Sequence, residues 1–323
     1  MKKTIDDIKI LPAKDQMLLY GYDRHFNFFI NLFNKKKYPQ MFLLSGSKGS
    51  GKSTFIYHFI NYLLSKNEKN PYSLNDFSIN ENNTTYKLLK SGTHPNFFLI
   101  ENSPSDKEIK IDQVKELIKF LNKSTYSREL KIVMIDDAEC LNFNSSSALL
   151  KAIEEPSHNT IFFIIHNGPP GNLHTIKSRC VEFKFFFTTQ NKKNIYNKIV
   201  NQYSNLPKVD KIIDSFYFDT AGNLLKYVIA LSNSKINILE DKLSCALFFI
   251  EKYKNNKNLE NLSFVTLFVQ NYYNELCANE MQPNRYYLNH SKILKQLSNM
   301  KRFNLNDKNI FIWMYNLLIN EKK

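Results

Sequence analysis

Cysteine is scarce in this chain, and Cys140, Cys180, Cys245 and Cys277 are scattered with no C-x-x-C pair among them. That spacing supports neither a disulfide framework nor a zinc site, so reduced structural thiols are the expectation. Long apolar runs are missing too. No stretch approaches the roughly 20 residues that cross a bilayer, and the opening Met-Lys-Lys-Thr-Ile-Asp-Asp sets acidic residues where a secretory leader needs an apolar core. A cytoplasmic chain with no membrane partner is therefore expected. There is no internal repeat, and the single tryptophan, Trp313, reads as packing on a C-terminal helix.

What is present suits a folded chain with room for two or three domains: 323 residues, 43% hydrophobic and 14% aromatic. The net charge of +14 suits a polyanion such as nucleic acid. Lys, Asn, Ile, Phe and Tyr are heavily used throughout, however, so charge alone discriminates weakly. The basic runs Lys35–Lys37 and Lys252–Lys257 read first as solvated surface.

Over the first 190 or so residues, short apolar runs alternate with helix-period segments, the pattern of an open α/β sheet. The strand candidates are Met41–Ser45, Asn96–Glu101, Lys131–Ile135, Ile161–Ile165 and Val181–Phe186. Several are apolar throughout, as expected of strands covered on both faces. Asp112 is placed to cap a helix carrying Val114, Leu117, Ile118 and Leu121, and Ser145–Glu155 forms another that stops at Pro156. The Asn- and Ser-rich stretch Asn67–Thr85 reads as a polar connection. Later segments, among them Asn191–Tyr203, Gly222–Leu231, Lys242–Lys254, Leu262–Leu276 and Asn309–Asn320, carry a helical period. The expected division is an α/β nucleotide domain over 1–188, a small helical lid-type domain over 189–232 and a helical domain over 233–323.

The chemistry concentrates at Gly46-Ser47-Lys48-Gly49-Ser50-Gly51-Lys52-Ser53, a complete G-x-x-x-x-G-K-[ST] loop. It follows an apolar strand and runs through Thr54 into a helical pattern, the context that makes the motif credible. The glycines let backbone N–H groups turn inward around phosphates, Lys52 neutralises the β- and γ-phosphates, and the Ser53 hydroxyl ligates Mg²⁺. ATP or ADP with Mg²⁺ is the expected cofactor. The acid that completes the Mg²⁺ site should end a later apolar strand, and Asp136 does so after Lys131–Ile135. The next position, where ATPases of this kind carry a water-polarising glutamate, holds Asp137, with Glu139 two residues on. A side chain one methylene short disturbs a geometry in which small displacements cost roughly 100-fold. Binding is the firmer expectation, and hydrolysis by this chain is expected to be weak at most.

The stretches IDDAECLN and ALLKAIEEP within Lys131–Pro156, with TIKSRC at Thr175–Cys180, resemble the clamp-loader branch of the AAA+ ATPases. HPNFFLIE at His94–Glu101, IKIDQVKEL at Ile109–Leu117 and LYGYD at Leu19–Asp23 extend the resemblance over roughly 18–190. It implies an AAA+ P-loop sheet domain, a lid and a C-terminal collar. Arg179 matches an arginine finger that reaches a nucleotide held by a neighbouring subunit. Asn167, or His166 beside it, falls at the γ-phosphate sensor, and Lys226 sits where many relatives carry a second sensor arginine. Lysine there keeps the charge but loses bidentate geometry. The implied partners are gamma/tau-type and delta-type clamp-loader subunits, a sliding clamp and primer-template DNA within a DNA polymerase III assembly. The cysteine cluster that binds zinc in many members has no counterpart between Lys52 and Asp136, so no zinc is inferred. A gamma/tau-type motor ATPase, a small-molecule or nucleoside kinase and an AAA+ helicase loader are the competing readings. The kinase leaves TIKSRC and the helical tail without a purpose.

Overall fold

A computed structural model describes residues 10–102, 108–123, 130–154, 159–168, 173–201, 216, 219–232, 234, 236, 241–257, 259–279, 284–303 and 307–321. The described residues up to 201, with 219–224, form one compact unit; Phe216 and those from Leu225 onward form a second.

In the first unit the apolar runs become strands β1 (Met41–Ser45), β2 (Phe97–Ile100), β3 (Lys131–Ile135), β4 (Thr160–His166) and β5 (Val181–Lys184). All pair in parallel, in the order β2-β3-β4-β1-β5. Strands β3 and β4 are buried at every residue, which is why their sequences are apolar on both faces. Edge strand β5 is largely open, and its Val-Glu-Phe-Lys sequence alternates accordingly. Helices α1 (Asp23–Asn34), α2 (Lys52–Leu64) and α3 (Thr84–Ser91) cover one face, where Phe26, Phe29, Phe55 and Phe59 pack on Phe42 and Phe163. Helices α4 (Ile111–Asn122), α5 (Phe143–Glu154) and the short α6 (His174–Lys177) cover the other through Val114, Leu117, Leu149 and Ile176. Helix α7 (Thr189–Val200) follows the sheet.

One local expectation needs correction. Asp112 does not cap α4, because Lys110 is the N-cap and the Gln113 side chain accepts from its N–H. Asp112 lies inside the first turn, paired with Lys115 at 2.9 Å. The connection after α2 is polar, as expected, and several of its polar side chains are buried. Asn61 and Asn83, both fully buried, bond to each other at 3.1 Å, Asn83 caps α3 through Tyr86 N–H, and Glu68 receives the N–H groups of Thr84 and Thr85. Polar side chains here satisfy one another inside the fold, as buried polar groups must.

His58, fully buried on α2, belongs to the same region. Its Nε2 faces the Gln16 carbonyl at 3.1 Å and must donate, which leaves Nδ1 to accept from the Tyr72 hydroxyl at 3.0 Å. The ring is thus fixed as one neutral tautomer, and burial pushes its pKa down to about 4. The unfolded chain takes up this proton from about pH 6.5 downward, whereas the folded chain resists until about 4. Stability from this group is therefore complete above pH 6.5 and is lost as pH falls through that window, by up to about 3 kcal/mol. Melting curves from pH 7 to 4 should show the loss, and His58→Gln should flatten it.

The second unit contains most of α8 (Ala221–Ser232), which begins in the first unit, then α9 (Lys242–Asn255), α10 (Leu259–Asn279), α11 (Asn284–Phe303) and α12 (Asp307–Asn320). Phe249 of α9 stacks on Phe268 of α10 at 4.9 Å, and Tyr253 meets Phe311 of α12 at 5.0 Å. The expected α/β class followed by a helical C-terminal part is what folds. Among the described residues no helix is long and apolar enough to cross a membrane.

Candidate nucleotide site

The G-x-x-x-x-G-K-[ST] loop leaves the C-terminal end of β1 and opens α2, with Gly51 as the N-cap of that helix. Gly49 and Gly51 take φ of +80° and +92°, a region that side-chain-bearing residues avoid. Lys52, only 3% exposed, donates to the carbonyls of Gly46 at 2.8 Å and Ser47 at 2.9 Å. Burial lowers its pKa to about 8 against the pull of Asp136. A buried ammonium held by loop carbonyls is positioned for an anion in the same loop. Next to it, Ser53 Oγ donates to Asp136 Oδ2 at 2.6 Å. Burial raises the Asp136 pKa, partly offset by that hydrogen bond. A hydroxyl and a carboxylate side by side are the oxygen donors that Mg²⁺ takes. The donor set fits a nucleotide with its metal, and among the described residues no cluster of three or more His, Cys, Asp or Glu could hold a different metal.

Asp137 is committed elsewhere. It sits at φ +51°, and its carboxylate accepts from Lys48 Nζ at 3.1 Å and from the Asn167 amide at 2.7 Å. The backbone N–H of Asn167 donates to Glu139 at 3.1 Å. His166, the last residue of β4, lies in register with Ser45 and is 8% exposed. Asn167 therefore touches the acidic pair directly. A cavity of about 290 Å³ opens beside them, lined in part by Ser45, Gly46, Ser47, Asn167 and Lys184.

Several contacts to the loop escaped the sequence reading. Tyr22, within LYGYD, donates its hydroxyl to Ser50 O at 2.8 Å. Thr220 Oγ1 donates to Lys48 O at 3.1 Å, and Asn223 Nδ2 reaches the same carbonyl at 3.4 Å. Asp219 in turn holds Thr220 N–H and the Asn223 amide, each at 2.7 Å. The backbones approach so closely that a Cβ on Gly222 would stand 2.5 Å from Gly49 O. Gly222→Ala must push the loop aside, so we expect about a tenfold loss of nucleotide affinity together with a destabilisation of roughly 1–3 kcal/mol. Nucleotide titration and a melting curve on the same sample check both. Lys226 follows on α8 in the second unit.

Arg179 lies elsewhere on the sheet. Strands β1 and β5 run parallel with Phe42 opposite Val181 and Ser45 opposite Lys184. The loop leaves the C-terminal edge, while Arg179 precedes β5 at the N-terminal edge, at least about 10 Å away along the strands. Its guanidinium bonds to Thr175 O and to Glu154 Oε1, both at 2.9 Å, and is 39% exposed. It does not serve its own loop.

A family model described as DNA polymerase III, delta subunit, matches residues 21–188, more than half of the chain. The chain belongs to that family. The motifs quoted above match, within the clamp-loader branch, the delta-prime subunit, and the relatives bear this out. DNA polymerase III subunit delta' of Pseudomonas aeruginosa is 33% identical over 151 residues, 47% of this chain and 44% of that protein. Its counterpart in Escherichia coli is 29% identical over 138 residues, 43% and 40% respectively. The alignments thus span less than half the length of these relatives. A solved gamma subunit-related protein of Thermotoga maritima is 14% identical over 92% of this chain and 99% of its own, with a TM-score of 0.48.

Proposed function

We propose that this chain serves as the delta-prime member of a clamp loader, a cytoplasmic hetero-oligomer that places a sliding clamp on primed DNA in an ATP-dependent cycle. It binds ATP or ADP through Gly46–Thr54, with Lys52 on the phosphates and Ser53 and Asp136 holding Mg²⁺, which supplies charge neutralisation when bound. Asn167 and Lys226 sense the nucleotide, and Arg179 is lent to the site of a neighbouring gamma/tau-type subunit. The observation that carries this reading is the position of loop and arginine at opposite edges of one sheet. Two further features support weak turnover by the chain itself. Asp137 is shorter than the glutamate expected there, and its carboxylate is already engaged by Lys48 and Asn167. The working division remains an AAA+ domain over 1–188, a lid over 189–232 and a collar over 233–323.

Mixing the purified chain with gamma-type and delta-type subunits tests the assignment. A stable complex should form by size exclusion, and its clamp- and DNA-stimulated ATPase should require this chain. A chain that stays out of the complex yet hydrolyses ATP briskly alone, with the activity lost on Lys52→Ala, contradicts it.

A further inference from the structure

Helix α11 carries charge of one sign. Over Asn284–Phe303 it has Arg285, Lys292, Lys295, Lys301 and Arg302, and no Asp or Glu. Its core-facing side is set by Ile293, Leu297 and Met300, all buried. The opposite side presents Arg285, Leu288, Lys292 and Lys295, an i, i+3, i+7, i+10 spacing that keeps them on one face over about 15 Å. All four are exposed. Among the described residues, none of these three cations is in an ion pair. The acid that meets this helix, Glu321, is taken up by Asn289 at 2.6 Å, and Glu275 of α10 is taken up by Lys242 at 3.3 Å. Leu288 on this face is 62% exposed; Tyr287, 57% exposed, lies on the far flank, about 140° round the helix from Lys292. A solvated helix surface normally mixes signs to gain i,i+4 pairs, and this one forgoes them.

We propose that this face of α11 binds the phosphate backbone of DNA directly. Arg285, Lys292 and Lys295 would track the phosphates. A line of exposed cations is the arrangement that holds a nucleic-acid backbone without reading its sequence. The choice of DNA rests on the clamp-loader reading above; the charge is independent of it.

The test is fluorescence anisotropy of labelled oligo(dT) with the full chain, without nucleotide or partner subunits, across a salt series. That format keeps failure here separate from failure of the nucleotide-site reading, which Lys52→Ala addresses. Arg285→Ala/Lys292→Ala/Lys295→Ala should weaken binding at least tenfold at low salt and reduce the log–log salt slope by about 2, as expected for three single-strand phosphate contacts. Tyr287→Ala, on the far flank of the helix, should leave both binding and the salt slope nearly unchanged. Lys292→Arg/Lys295→Arg should bind as the unaltered chain does, which guards against a variant that merely folds badly. A matched control, Lys35→Ala/Lys36→Ala/Lys37→Ala, removes the same charge from elsewhere and should change little. The proposal is overturned if the control loses as much as the α11 variant, or if the α11 variant loses nothing.

Discussion

Replacing Lys52 with alanine is expected to weaken ATP or ADP binding by at least about 100-fold while leaving the melting temperature nearly unchanged. The ammonium would make charge-assisted bonds to phosphate oxygens, each worth roughly 1.5–3 kcal/mol, and two of them account for a factor of 100 or more. The fold survives because two effects oppose each other. The substitution leaves the Gly46 and Ser47 carbonyls without their lysine donor, but it also removes a buried cation whose pKa has been driven down to about 8. The same shift gives a sign to the pH dependence. Below pH 8 the ligand-free lysine is charged and ready; as pH rises through 8 it loses its proton, and binding must then restore it. Affinity should therefore decline above pH 8 in the unaltered chain, and this decline should be absent in Lys52→Ala. A nucleotide titration from pH 7 to 9.5 measures both. Tight binding by the alanine variant would mean that the loop does not hold phosphates through this residue.

Arg179→Ala carries the second large effect. In a reconstituted complex we expect ATP turnover to fall by roughly 10³-fold, the lower end of what trans arginine fingers contribute in GTPases. Nucleotide binding by the isolated chain should not change, because Arg179 stands at the edge of the sheet away from the loop. The partly exposed pair with Glu154 is no obstacle to its delivery, since ion pairs of that kind are worth only about 0–1 kcal/mol. Arg179→Lys should not rescue turnover, because a point charge cannot reproduce the planar fork that meets two phosphate oxygens. Recovery with lysine would reduce the residue to a general electrostatic contribution.

Much of the first unit was legible because its signals are local. Met41–Ser45 and Lys131–Ile135 are continuous apolar runs bounded by polar residues, and they fold as strands with those bounds. The loop is a contiguous motif whose strand and helix lie on either side. What was not legible depends on residues far apart in the chain. Thr220 and Lys48 are separated by 172 positions, and Asn61 and Asn83 by 22, so neither pair leaves a periodic trace. The burial of His58 is likewise set by Gln16 and Tyr72 from other segments. Asp112 failed as a cap for a more local reason: the helix begins two residues earlier than that cap requires, at Ile111, with Lys110 at the cap position. The engagement of Asp137 by Lys48 and Asn167 joins three segments, and it turns a sequence-level doubt about a short acid into a geometric one.

The reading of this chain as a supporting subunit, which lends its arginine and does not drive the cycle, is tested most directly in one assay. Clamp- and DNA-stimulated ATP turnover would be measured for complexes carrying the unaltered chain, Lys52→Ala or Arg179→Ala. Turnover that collapses with Arg179→Ala and stays within about threefold with Lys52→Ala is the predicted result. The reverse order would contradict the account, because it would make this chain's own loop the working site and its arginine a surface residue.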